Sequence, residues 1–177
     1  MTHAEMECWY AAQVTHQHEK RVARLLEYEG YTQFLPMYKV RRKWSDRIKT
    51  IELPLFPGYV FFQSRPSSLG LRLGIQSMCR VVSFGGKPQP IPHEEMAAVQ
   101  KVIHSKREVC SFPYLPIGSK VRVTDGPLAG ITGFIAQIQN HKRLIISVDL
   151  INRSMSVGVE PSEVAPVVNC EQPVMES

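Results

Sequence analysis

Leu55-Phe56-Pro57-Gly58-Tyr59-Val60-Phe61-Phe62 sets a Pro-Gly pair inside a run of aromatic and branched residues, and few folds accommodate that combination. Proline fixes its own φ, and glycine opens conformations closed to other residues. The segment reads as a bent or bulged strand that presents several aromatic side chains. One sheet face takes only alternate residues, so Phe56, Tyr59, Phe61 and Phe62 cannot all enter one core. Two readings stay open: a sheet buried on both faces, or an aromatic surface partly used to dock another protein.

The chain's 177 residues suffice for one ordinary domain or two small ones. With 44% hydrophobic and 21% charged residues it has the composition of a soluble globular protein. Its formal net charge of +5 permits a nucleic-acid partner without demanding one. Cys8, Cys79, Cys110 and Cys170 lie far apart, with no CxxC pair, so neither a zinc signature nor a disulfide framework is legible. A reducing cytoplasm suits that usage. His16 and His18, two apart, would not share a helix face, so no metal site and no cofactor is expected. Glu5 and Glu7 stand where a secretion signal would need an apolar core. The apolar stretch Ile51 to Phe62 is too short to span a bilayer and is broken by Pro54 and Pro57, so no membrane partner is expected.

Cys8 to Val14 reads as a buried strand, and Gln17 to Glu29 as a helix with Val22, Leu25 and Leu26 on one face and Lys20 and Arg24 on another. Tyr31 to Trp44 and Lys49 to Gln63 read as a long hairpin turning at Ser45-Asp46-Arg47. Pro66 to Gln76 suggests a short helix, and Cys79 to Phe84 a strand closed by Gly85-Gly86. Pro92 to Lys106 is a helix with Met96, Val99 and Ile103 along one side. These make an α+β domain over 8–108, with helices against an antiparallel sheet. Residues 109–117 read as an apolar linker around Phe112-Pro113-Tyr114-Leu115-Pro116. From 118 to 168 the pattern is all-β: Lys120 to Val123, Leu144 to Leu150 and Met155 to Val159 suggest short strands of a small barrel. Residues 169–177 read as a disordered tail.

Val121-x-Val123-x-x-Gly126-x-x-x-Gly130-x-x-Gly133-x-Ile135 resembles the KOW motif, which opens an SH3-like barrel. Trp9-Tyr10, Glu19-Lys20 and Leu55-Phe56-Pro57-Gly58-Tyr59 resemble the NGN domain of NusG-type transcription elongation factors. NGN followed by KOW covers residues 8 to 167 and is specific to that family. Arg42-Lys43-Trp44-Ser45-Asp46-Arg47, Thr15-His16-Gln17-His18-Glu19 and the Pro113 to Gly118 junction resemble the specialised paralogues of the RfaH and UpxY types, which act as operon-selective antiterminators.

The resemblance implies a non-enzymatic, cytoplasmic, monomeric factor that binds RNA polymerase and suppresses pausing or termination. No catalytic residues are assigned: no nucleophile motif, P-loop or paired carboxylates appear. Phe56, Pro57, Gly58, Tyr59 and Phe84 match the pocket that receives the β′ clamp helices, and Ser67 to Arg72 fall near a contact with the β gate loop. Lys20, Arg21 and Arg24 match the region near the non-template DNA strand, with a solvated charged face as the alternative. Ile151 and Arg153 match positions where the KOW domain contacts the ribosomal protein NusE or the termination factor Rho; Ile151 could instead be an ordinary apolar edge residue. The basic run Lys39, Arg41, Arg42, Lys43, Arg47 and Lys49 on the hairpin has no assigned role. A housekeeping factor assisting Rho, and a ribosome-associated KOW RNA-binding protein, are the competing readings.

Overall fold

A computed structural model describes residues 6–44, 46–69, 74–113, 118–138 and 141–167. The chain is α+β, and its first unit is a four-stranded sheet. The sheet order is β2 (Gln33–Phe34), β5 (Tyr59–Ser64), β1 (Cys8–Val14), β6 (Met78–Val81). Side-chain alternation sends neighbouring residues to opposite faces, and both faces are covered. Tyr10, Ala12, Val14, Val60 and Phe62 meet Val22, Ala23 and Leu26 of helix α1 (Glu19–Tyr28). Trp9, Ala11 and Phe61 face the other way, toward Met96, Val99 and Val102 of helix α2 (His93–His104). Val102 rather than the expected Ile103 is the fully buried residue of that last turn; Ile103 packs half-buried beside it.

The expected long hairpin is two structures. β3 (Met37–Lys43) and β4 (Ile48–Pro54) form a separate two-stranded ribbon, and the chain then breaks at Leu55–Gly58 before entering β5. It is a turn, not a bulged strand: the Tyr59 amide donates to the Phe56 carbonyl (3.2 Å), and Gly58 has φ +84°. Pro57 has no amide hydrogen to give to a ladder, which makes the interruption physical. Similarly, the predicted strand from Cys79 to Phe84 divides into β6 and a small hairpin of β7 (Ser83–Phe84) and β8 (Lys87–Pro88). Gly85 and Gly86 both have positive φ, as a two-residue hairpin turn of primed type needs. The helix expected over Pro66 to Gln76 is a single 3-10 turn at Pro66–Ser68 among the described residues.

Beyond α2 lies a six-stranded antiparallel sheet, in the order β14 (Val164–Pro166), β10 (Ser119–Val123), β11 (Thr132–Ile138), β12 (His141–Val148), β13 (Arg153–Gly158), β9 (Val109–Pro113). The linker assignment fails for its first half. Residues 109–113 are strand β9, paired along β13 from Val157 to Arg153, because the exposed edge of β13 needs hydrogen-bond partners. The expected strand Leu144 to Leu150 ends at Val148, and Asp149–Ile151 turn as a 3-10 step closed by Asn152 at φ 49°. A Cβ at Gly133 would drive into the Ile145 carbonyl, so the KOW-like glycine there marks close approach of β11 and β12. Residues 114–117 and the tail 169–177 lie outside the described residues.

One core is continuous across both units. Phe56, Phe61 and Trp9 belong to the same buried cluster as Val121, Leu144, Ile146, Ile151 and Met155, with α2 between the two sheets.

Candidate functional site: the face shared by the two units

The Leu55–Gly58 turn is held from below and from the side. Leu55 and Phe56 are buried, and Phe56 meets Phe61 edge-on at 5.5 Å. The Gly58 amide donates to Glu19 Oε1 at 2.9 Å, and the Gly58 carbonyl accepts from the Val14 amide. Glu19 is only 3% exposed, so its carboxyl is a structural acceptor clamping the turn onto the start of α1. Sequence reasoning missed that role, because an acidic residue in the first turn of a helix already has a local explanation in the helix dipole.

Of the residues expected in one aromatic pocket, Phe56 is core, Tyr59 is half-buried against that core, Pro57 is exposed and Gly58 is half-buried. Phe84 stands 81% exposed on the β7–β8 hairpin. The β domain covers part of this face: the Arg153 guanidinium lies 6.0 Å above the Tyr59 ring, within cation–π reach. Ile151 is 5% exposed and joins the shared core. The two surfaces singled out for separate partners therefore face each other.

Polar contacts fasten α2 to the β domain. The Asp149 amide donates to Glu95 Oε2 (3.2 Å), and Lys101 Nζ donates to the Ala129 carbonyl. Burial, and then the neighbouring Asp149, push the Glu95 carboxyl above its ordinary range. At the junction, Arg107 forms a two-pronged pair with Glu163 and also reaches the Gly158 carbonyl at 3.1 Å. The Arg107 hydrogen bonds, aided by the Glu160 amide, hold the Glu163 carboxyl down at about 2. None of these pairs is readable from spacing, since their partners lie 28 to 56 residues apart along the chain.

Lys20, Arg21 and Arg24 are all exposed on α1. Lys20 lies 3.8 Å from Glu52, and Arg21 donates to Gln76 Oε1 at 2.5 Å. Both are surface contacts of little energetic weight, which leaves these cations available. Ser67 and Ser68 lie in the 3-10 turn, whereas 70–73 are outside the described residues. No helix among the described residues is long and apolar enough to cross a membrane.

The family model described as transcription termination factor NusG matches residues 7–100, more than half of the chain. The chain belongs to the NusG family. NusG of Pasteurella multocida, a transcription termination/antitermination protein, is 30% identical over 175 residues, spanning 88% of this chain and 93% of that protein. Vibrio cholerae NusG is 29% identical over 182 residues, spanning 93% and 98%. A solved structure of Thermotoga maritima NusG, described as showing domain interaction, superposes with a TM-score of 0.55 at 21% identity, spanning 93% of this chain and 99% of that one. That likeness is one of fold. The protein is a NusG-type transcription factor.

Proposed function

We propose that this NusG-family protein is a cytoplasmic elongation factor that binds RNA polymerase through the face around Phe56, Pro57, Gly58, Tyr59 and Phe84, and that it suppresses pausing or termination as a specialised antiterminator. The observation that carries the reading is the clamped Leu55–Gly58 turn with Tyr59 beside it, partly covered by Arg153 of the β domain. A turn tied at Glu19 presents a rigid surface, which lowers the entropy lost on docking. Phe56 supports this surface from the core, whereas Tyr59 and Phe84 are the side chains able to touch a partner. Lys20, Arg21 and Arg24 are exposed, and in this reading they lie along the phosphates of the non-template strand, Lys20 and Arg21 exchanging their surface contacts with Glu52 and Gln76 for phosphate.

Because Tyr59 and Arg153 cover each other, clamp-helix binding and release of the Ile151–Arg153 surface to NusE or Rho are coupled in this reading. Polymerase would favour the open arrangement only through its higher affinity for it. A domain contact is also the described subject of the Thermotoga structure, in a chain of the same fold.

The test is binding of the full chain to an isolated β′ clamp-helix fragment, with Tyr59→Ala and Glu95→Ala/Lys101→Ala beside the wild type. The reading requires weaker binding by the first and tighter binding by the second, which loses two ties between α2 and the β domain. Absence of binding by all three rejects it. Readthrough of a Rho-dependent terminator in a reconstituted reaction then separates an antiterminator, which raises it, from a factor assisting Rho, which lowers it.

A further inference from the structure

The β3–β4 ribbon carries most of the chain's formal net charge of +5 and takes no part in either core beyond its base. Tyr38, Val40, Ile51 and Leu53 are half-buried at that base, whereas residues 41–44 and 46–50 are all exposed. The distal end is therefore an arm with two solvent faces. Its register puts Lys39 opposite Glu52, Arg41 opposite Thr50 and Lys43 opposite Ile48 on one face. Arg42 sits opposite Lys49 on the other.

Two features are unexpected for a ribbon selected for stability alone. Like charges directly opposite across two strands destabilise the pair, yet Arg42 and Lys49 hold that position. The arm also exposes Trp44 (51%) and Ile48 (59%) at its end, with Lys49 Nζ 4.8 Å over the indole. Only two carboxylates share the arm; Glu52 is turned to Lys20 at 3.8 Å, and Asp46 is 4.0 Å from Arg47. The remaining cations have room for an external polyanion.

The geometry points to duplex DNA: we infer that the β3–β4 arm enters the major groove tip first, Lys39, Arg41 and Lys43 facing one phosphate backbone and Arg42 and Lys49 the other, with Trp44 at the tip nearest the base edges. A groove about 12 Å wide admits a two-stranded ribbon. Cations on both faces suit a groove walled by phosphates on both sides, and would be half wasted on a flat surface or a lone strand. Duplex RNA is disfavoured because its major groove is too deep and narrow for side chains. This goes beyond the polymerase-binding reading and is tested without polymerase.

Fluorescence anisotropy of the full chain with a short mixed-sequence DNA duplex, across a salt series, decides the matter. Arg41→Ala/Lys43→Ala and Arg42→Ala/Lys49→Ala each remove cations from one face. Each should flatten the log-log salt slope by about 1.8, two phosphates at about 0.9 each on B-DNA. Trp44→Ala should weaken binding while leaving the slope unchanged. Far-UV circular dichroism and thermal melting establish that the variants are folded; Arg42→Ala/Lys49→Ala should melt no lower than wild type, since a repulsive pair has gone. Slopes unchanged in both folded doubles overturn the inference. So does flattening confined to one face, which would lay the ribbon flat on a backbone. Tighter binding of the single strand or of duplex RNA than of duplex DNA would also overturn it. Clamp-fragment binding by the same variants should stay at the wild-type level, so failure here is distinct from failure of the polymerase reading.

Discussion

The two faces of the N-terminal sheet are closed in different ways. One lies under α1, which follows β1 directly in sequence, so its cover belongs to the same unit. The other lies under α2, and its core continues into a β domain that begins near residue 109. The α1 face is fastened by apolar packing and the buried Glu19 carboxyl. The α2 face adds surface-accessible polar ties through Glu95, Lys101 and Arg153. Lifting the β-domain side of the cover would break polar ties and the part of the shared core that lies beyond α2, whereas lifting α1 would dismantle the core of the sheet's own unit.

Phe61 and Phe62 test this most sharply. They are chain neighbours, both with no exposed surface, and they point to opposite faces. Truncating either to alanine should cost about 3–5 kcal/mol by denaturant unfolding. The consequences should differ in place. Phe61→Ala should raise amide exchange in α2 and at the β-domain contact, whereas Phe62→Ala should raise it in α1 and leave that contact protected. Equal loosening on both faces by both variants would end the distinction.

Glu19→Ala should come next, at about 2 kcal/mol, because it leaves the half-buried Gly58 amide without its acceptor. Glu19→Gln retains a carbonyl oxygen and should recover most of that loss. Clamp-fragment binding by the alanine variant should fall along with stability, since the turn it frees carries Tyr59; binding unaffected in a folded variant would separate the turn from the docking surface.

These contrasts mark what was legible in the sequence. The α+β unit, both helices and the all-β C-terminal pattern follow from periodicity and turn residues, and the family from the LFPGY run and the glycine spacing. Pro57-Gly58 reads as a bend or bulge within a continuous strand, whereas the structure breaks the strand there, because bending and breaking differ by hydrogen bonds that local sequence does not encode. The segment of β9 reads as linker because periodicity stops there and prolines punctuate it, and its reason for pairing lies at Arg153 to Val157, some forty residues on. The aromatic excess left two readings open. Phe61 and Phe62 take the bland one, each in its own core, and Phe56 joins the first. Tyr59 keeps an edge free, and only the tertiary fold brings Arg153 over it. The ties Glu19–Gly58, Glu95–Asp149 and Arg107–Glu163 connect residues 39 to 56 positions apart, beyond any local pattern.

Arg107 and Glu163 pin the chain as it leaves α2 and enters the β domain. Glu163→Gln should cost about 1.5 kcal/mol, as for a hydrogen bond to a charged group. The folded carboxyl sits at about 2, below its ordinary 4.5. A depressed acid stabilises above the ordinary value, so its contribution should be fully present above about pH 4.5 and lost as pH falls from there toward 2. Denaturation midpoints across that window should slope steeply in the wild type and more weakly in Glu163→Gln. Parallel curves would mean that the pair does not fasten the junction.

Glu95 should give the smallest effect and the opposite sign. Burial and Asp149 raise its carboxyl above the ordinary value when α2 is docked on the β domain. A raised acid favours docking in its protonated form, an advantage fully present below the ordinary value and lost as pH rises through the raised one. Mild acidification from neutrality should therefore tighten the α2 contact before the Arg107–Glu163 pair begins to fail. Glu95→Gln mimics the protonated carboxyl and keeps an acceptor for the Asp149 amide, so its effect should be about 0.5 kcal/mol at neutral pH, and stabilising. The readout is clamp-fragment affinity against pH for the full chain. Wild type should bind more weakly as pH drops toward the ordinary carboxylate value, and Glu95→Gln should bind more weakly at neutrality with little further change. Stronger binding by Glu95→Gln at neutral pH would mean that the ionised carboxyl is what holds the cover down, and that the α2 face is closed by charge and not by the continuous core beneath it.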